Sequence, residues 1–167
     1  MKTCIQHPIL PFYRTDSRFL ILGSFPSVKS REQMFFYGHP QNRFWPVISG
    51  MFGCSVPVSV QEKKALLQDC KIAVWDVIAS CEIAGSSDSS IKKVVPNDIS
   101  VILEGAQIEK IFVNGKTAEK YYNRYIKPKI GITVKCLPST SPANASWSLE
   151  KLTEAWRTAF FEEDGAE

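Results

Sequence analysis

Nowhere in this chain do two cysteines stand in a Cys-x-x-Cys pair. The five present, Cys4, Cys54, Cys70, Cys81 and Cys136, are an odd and scattered set, which argues against a disulfide framework, a zinc site or an iron–sulfur cluster and predicts a reducing, cytoplasmic setting. No long apolar run opens the chain either. Pro8, Pro11, Arg14, Asp16 and Arg18 break up its N-terminus, so neither a signal peptide nor a membrane anchor is expected there. No repeat or linker divides the sequence, and its 167 residues, 44% of them apolar, are expected to form one domain over 1–167 with a proper core. A large excess of one charge is missing as well: a net +3 permits a nucleic-acid partner without requiring one.

What is concentrated lies in the stretch Phe35-Phe36-Tyr37-Gly38-His39-Pro40-Gln41-Asn42-Arg43-Phe44-Trp45-Pro46. Aromatic rings, one amide, one imidazole and one cation are set there between turn residues. Stacking surfaces beside hydrogen-bonding groups suit a pocket for a planar, polar ligand such as a nucleobase. The plain structural alternative is a buried aromatic cluster, with Asn42 capping a helix that begins near Pro46. It accounts for any single ring but not for the ensemble.

The flanking sequence alternates strands with helices. Arg18 to Leu22 is a short apolar run that stops at Gly23, as a buried parallel strand does, and the turn Gly23-Ser24-Phe25-Pro26-Ser27 would leave backbone N–H groups free to meet a ligand beyond the strand's carboxyl end. Further strands are expected over Lys71 to Ile78, Ile108 to Val113 and Ile132 to Leu137. Helical spacing runs through Val47, Ile48, Met51 and Phe52 up to Gly53, and through Ala65, Leu66 and Leu67 after the capping box of Ser59 and Glu62. It returns in Ala118, Tyr121, Tyr122 and Tyr125, whose tyrosines read as core. The last helix carries Leu149, Leu152, Trp156 and Phe160 on one face, with Ser146 or Ser148 as its cap. This order predicts an α/β fold, three-layer α/β/α, around a central four-stranded, mostly parallel sheet.

One acid, Asp76, sits inside an apolar strand, where a carboxylate is costly unless it is used. Either it bonds the Ser-rich loop Gly85 to Ser90, or it meets substrate at the strand's end. Lys92 and Lys93 in the same region read as a solvated basic face.

Together these residues resemble the uracil-DNA glycosylase superfamily, and within it the hypoxanthine-DNA (deoxyinosine) glycosylases. The resemblance runs from about His7 to Trp156. It rests on the Gly-Ser-Phe-Pro-Ser turn, Tyr-Gly-His-Pro-Gln-Asn-Arg-Phe-Trp, Trp-Asp-Val-Ile-Ala-Ser-Cys, and Ser-Thr-Ser-Pro-Ala-Asn-Ala-Ser-Trp-Ser-Leu-Glu-Lys-Leu. The mismatch-specific uracil and thymine glycosylases share the His-Pro-x-Asn-Arg-Phe-Trp stretch, but they carry a catalytic amide in the first turn, where this chain has Phe25.

The resemblance therefore implies Asn42 as the catalytic amide, holding a water through its carbonyl. It implies a substrate-binding set of Gly23, Ser24, Phe25, Pro26, Tyr37, His39, Asp76 and Asn114, with Tyr37 stacking on the extruded base. A DNA-entering loop of Ser139, Ser141, Pro142, Ala143, Asn144 and Ala145 completes it. The implied activity is hydrolysis of the N-glycosidic bond of deaminated bases in DNA, hypoxanthine above all, by a monomer without metal or other cofactor and without a membrane partner. No lysine lies in the central stretch to act as a lyase nucleophile. Arg43, Lys29 and Arg31 are the cations expected to hold phosphates. The alternatives are a mismatch uracil or thymine glycosylase, a free nucleoside hydrolase, and a non-catalytic DNA-binding module.

Overall fold

A computed structural model describes residues 3–162; residues 1–2 and 163–167 of the expected 1–167 domain lie outside them. The chain runs through β1 (Thr3–Gln6), β2 (Phe19–Gly23), α1 (Val28–Gln33), α2 (Phe44–Phe52) and α3 (Val60–Asp69), then β3 (Ile72–Asp76), β4 (Ile78–Ile83) and β5 (Lys92–Pro96). It continues as α4 (Ser100–Gly105), β6 (Lys110–Asn114), α5 (Lys116–Tyr121), a π-helical turn over Tyr122–Ile126, α6 (Lys127–Ile130), β7 (Lys135–Leu137) and α7 (Leu149–Phe161). Among the described residues no helix is long and apolar enough to cross a membrane.

The central sheet has the order β3-β2-β6-β7, with every neighbouring pair parallel. All of β2 is buried because apolar layers cover both faces, which is why the strand reads as a continuous apolar run. Phe19 and Ile21 pack with Ile72, Val74 and Phe112 under α2, α3 and α7, whose Phe44, Ile48, Leu67, Leu152, Trp156 and Phe160 fill that layer. Leu20 and Leu22 face the other side with Ala73 and Val113, against Ile102, Ala118, Tyr121 and Tyr122.

Part of that second layer is a sheet rather than a helix. β1, β4 and β5 form an antiparallel sheet of order β1-β4-β5, and its Cys81 and Ile83 enter the same core. The expected single strand from Lys71 to Ile78 breaks at Val77. There the Val77 N–H donates to the Gly23 carbonyl at 2.8 Å and the Ile78 N–H to that of Ser24 at 3.1 Å. Asn97 Nδ2 bridges the carbonyls of Asp76 and Ile78 at 2.9 and 3.2 Å, so the chain leaves one sheet and enters the other within two residues.

Other boundaries shift less. The third and fourth strands begin later than expected, at Lys110 and Lys135. α2 begins at Phe44, two residues before Pro46. Ser148 and not Ser146 caps α7, leaving Leu149 exposed while Leu152, Trp156 and Phe160 are buried. Tyr121 and Tyr122 are core, and Tyr125 only half so.

Register decides where the site lies. Gly23 pairs with Asp76, Leu22 with Val113, and Asn114 with Leu137. The carboxyl ends of all four strands therefore finish at one edge, and the loops that follow them gather there, the usual ligand edge of an open parallel sheet.

Candidate active site

A cavity of about 250 Å³ opens at that edge. Its wall is built from the turn after β2 (Gly23, Ser24, Phe25, Pro26, Ser27), from Tyr37, His39 and Asn42 of the central stretch, from Asp76 and Asn114 at strand ends, and from Ser139, Thr140, Ser141 and Pro142 after β7. Every expected substrate-binding residue lies on this wall. Of the expected DNA-entering loop, Ala143, Asn144 and Ala145 do not line it. Ala143 and Ala145 are exposed, and Asn144 turns inward to donate from Nδ2 to the Ser139 carbonyl at 3.0 Å.

Two glycines make the wall possible. A Cβ on Gly23 would lie 2.4 Å from Asp76 Oδ1, so only glycine leaves that carboxylate oxygen room. Gly115 has φ +93°, and a Cβ there would sit 3.0 Å from that of Ser139, so the turn after β6 must also lack one.

The polarity of Asn42 is set by its neighbours. The backbone N–H of Thr140 donates to Asn114 Oδ1 at 3.1 Å, which turns Asn114 Nδ2 toward Thr140 Oγ1 at 3.0 Å. The Thr140 hydroxyl then donates to Asn42 Oδ1 at 2.8 Å, and the same oxygen accepts the Phe44 N–H at 2.9 Å. Both lone pairs of the Asn42 carbonyl are thus engaged. Its NH2 has no partner among the described residues, so the group this side chain can offer to the cavity is a donor. The expectation of a water held by the carbonyl does not fit this arrangement. Asn42 is not the N-cap of α2, a position held by Arg43, but its Oδ1 satisfies the first helical N–H, that of Phe44.

Tyr37 adopts the left-handed region at φ 53°, a conformation that costs a non-glycine residue of order 1–3 kcal/mol and is kept where the surroundings demand it. Its ring stacks on Phe44 at 3.9 Å and 17°. Its hydroxyl is sealed from solvent without a hydrogen-bond partner among the described residues. Burial first, and then the nearby charge of Asp76, push its ionisation well above the ordinary phenol range, so the ring stays neutral. Phe25 is 9% exposed and stands edge-on to His7 at 5.8 Å, with the Arg31 guanidinium 5.6 Å from its centroid. Among the described residues the backbone N–H groups of Phe25 and Ser27 donate to no protein acceptor. His39 Nδ1 accepts the Gln41 N–H at 3.1 Å, and Nε2 has no partner among the described residues.

Asp76 does not bond the Ser-rich loop. Its Oδ2 lies 2.8 Å from His7 Nε2. The Ser-rich loop meets the first turn instead, where Ser24 Oγ donates to Asp88 Oδ1 at 3.2 Å and Ser86 Oγ accepts the Val28 N–H at 2.9 Å. His7, Thr140 and Asp88 were not among the expected site residues. Thr140 lies between two of the expected serines, and Asp88 lies within the Ser-rich loop. His7 carries no local signal, since its partner is 69 residues away.

The expected phosphate cations are mostly committed elsewhere. Arg43 donates to the carbonyls of Ser141 at 3.1 Å, Asn144 at 2.9 Å, and Trp147, so it buckles the 139–147 loop and has no free fork for a phosphate. Arg31 donates from Nη2 to the Gly85 carbonyl at 3.0 Å. Lys29 is exposed and pairs with Glu32 at 3.5 Å. Among the described residues no group of three or more His, Cys, Asp or Glu side chains could hold a metal ion.

Residues 10–163 match the family described as the uracil DNA glycosylase superfamily. A protein named hypoxanthine DNA glycosylase from Methanosarcina acetivorans is 33% identical over 147 residues, covering 87% of this chain and 91% of that one. One of the same name from Methanosarcina barkeri is 31% identical over 152 residues, covering 90% and 94%. The solution NMR structure of a Methanosarcina acetivorans protein, provisionally assigned as a uracil DNA glycosylase, superposes with a TM-score of 0.79 at 29% identity, covering 95% of this chain and 97% of its own.

Proposed function

Since this chain belongs to the uracil DNA glycosylase superfamily, we propose that its cavity hydrolyses the N-glycosidic bond of a deaminated base turned out of DNA, with hypoxanthine preferred. The observation that carries the reading is the Asn42 amide, locked with its NH2 as the free group on the wall of a cavity lined by rings and backbone donors. The two relatives named for hypoxanthine support the choice of base.

As the bond breaks, the sugar becomes cationic and the base departs with negative charge, so the site must serve both ends. The Asn42 NH2 donates to the oxygen of a water and fixes its place below the sugar carbon. It takes no proton: the water's proton ends on the base that has left as an anion, and positioning carries this half of the step. The N–H groups of Phe25 and Ser27 stabilise charge on the departing base. A base stacking on Tyr37 uses the face that Phe44 leaves open. Among the described residues no lysine lines the cavity, which supports direct hydrolysis over a Schiff-base route. Flipping costs a few kcal/mol and least in weakened pairs, so deaminated bases in poor pairs are the favoured substrates. The 139–147 loop, buckled by Arg43, is the element that replaces the departing nucleotide in the stack.

The test is single-turnover cleavage of duplexes holding deoxyinosine, deoxyuridine, deoxyxanthosine or a G·T mismatch, beside free deoxyinosine. Deoxyinosine in DNA should be cut fastest, and the free nucleoside hardly at all. Faster release of uracil or thymine would move the chain to the mismatch-specific reading. Cleavage of the free nucleoside alone would make it a nucleoside hydrolase.

A further inference from the structure

Behind the cavity wall, His7 pairs with the wall residue Asp76, their side chains 3% and 6% exposed. We propose that His7 is a positioning residue, holding Asp76 as a fixed hydrogen-bond acceptor that admits purines bearing a proton at N1 and turns away those with a lone pair there. This deepens the glycosylase reading and rests on it.

The geometry fixes each proton in turn. The Ile9 N–H donates to His7 Nδ1 at 3.2 Å, so that nitrogen presents a lone pair and the ring proton sits on Nε2. Nε2 donates to Asp76 Oδ2 at 2.8 Å. The ring cannot easily turn, being flanked by Phe25 at 5.8 Å, Phe36 at 6.3 Å and Trp75 at 6.3 Å, while its own backbone N–H is tied to the Ala79 carbonyl at 2.7 Å. With Oδ2 spoken for, the remaining oxygen of Asp76 is Oδ1, which has no partner among the described residues and occupies the space that Gly23 leaves open. Asp76 is on the cavity wall, so the wall presents an acceptor.

Deamination of adenine changes that edge. It turns a ring nitrogen with a lone pair beside an amino group into an N–H beside a carbonyl, and the N1 position passes from acceptor to donor. Hypoxanthine can therefore bond Oδ1. Adenine would set two acceptors against each other, leaving a buried oxygen unsatisfied, which is among the stronger forms of discrimination.

Two measurements test this. Long-range proton–nitrogen correlation of the imidazoles, of which the chain has two, should show His7 protonated at Nε2 and bare at Nδ1, and the opposite tautomer would overturn the proposal without reference to activity. Single-turnover cleavage is then compared for duplexes with deoxyinosine and with deoxynebularine, whose plain purine has a lone pair at N1. Intrinsic reactivity cancels when variants are compared by this ratio. His7→Phe keeps a ring in the aromatic box and removes the donor, and should lower the ratio by about 10- to 100-fold, the worth of one hydrogen bond to a charged group. His7→Gln restores an N–H and should stay within a few-fold of wild type. In an Asp76→Asn background His7→Phe should change the ratio no further. An equal loss on both substrates, a failure of glutamine to rescue, or additive losses in the double variant would each refute the positioning role. If His7→Phe does not fold, His7→Leu takes its place. Wild type inert on every duplex would sink the glycosylase reading, and the base-reading role with it, whatever the tautomer.

Discussion

Asn42 shows how little of the proposed catalytic side chain is free once its neighbours are counted. Its carbonyl is held by a backbone N–H and by Thr140, itself oriented by Asn114, so only the NH2 can reach a substrate. Asn42→Ala should lower single-turnover excision by about 10²-fold or more, the usual cost of losing a preorganised donor, while damaged-duplex binding in a gel-shift assay stays near wild type. Near wild-type excision by this variant would remove Asn42 from the mechanism. Thr140→Val keeps the shape of Thr140 and removes the bond that aims the amide. A loss of about tenfold is expected, in line with one neutral hydrogen bond. If the rate holds, the Phe44 N–H alone suffices to aim Asn42.

At the scale of elements, the 139–147 loop owes its shape to one arginine. Arg43 meets three of its carbonyls, and Ser139, Ser141 and Asn144 add bonds within the loop. Arg43→Ala should cost about 2 kcal/mol of stability, as loss of charged hydrogen bonds does, and should slow cleavage in duplexes more than in single strands, where no stacked partner is displaced. Equal slowing on both substrates would mean that the loop does not enter the duplex. α3 provides a contrast remote from the cavity, with Ser59 and Glu62 forming a complete capping box. Ser59→Ala should cost about 1 kcal/mol, seen as a melting point about 2–4 °C lower, with unchanged excision.

For the whole molecule, buried thiols contribute to how stability changes with pH on the alkaline side. All five cysteines are free. Burial raises Cys70 from 9.0 to about 12 and Cys81 from 9.0 to about 11. The folded chain therefore keeps both protons in a range where the unfolded chain has lost them. Their contribution is fully present below pH 9 and is lost as pH rises through the window up to 11 or 12, because unfolding then releases protons. The melting temperature should fall from pH 9 upward, and a Cys70→Ala, Cys81→Ala double variant should fall less over the same range. Identical pH slopes for the two proteins would show that other groups govern the alkaline limb.

Local sequence determined what depends on neighbours in the chain. Apolar runs placed the four parallel strands, Ser59 and Glu62 announced α3, and the turn after Gly23 together with the aromatic stretch marked the cavity wall, since strand burial, capping and turns act over a few residues. The antiparallel sheet was not legible, because β4 reads on from β3 without a turn signal and pairs with β1, 78 residues earlier in the register of Cys4 with Glu82. Only the tertiary structure decided which groups in the cavity are free. It joined His7 to Asp76 across 69 residues, Thr140 to Asn42 across 98, and Arg43 to the loop carbonyls across 98 to 104. A hydrogen-bonding side chain has the same local sequence whether its partner is a distant residue or a substrate, and only the fold, by bringing one of them within 3 Å, separates the two.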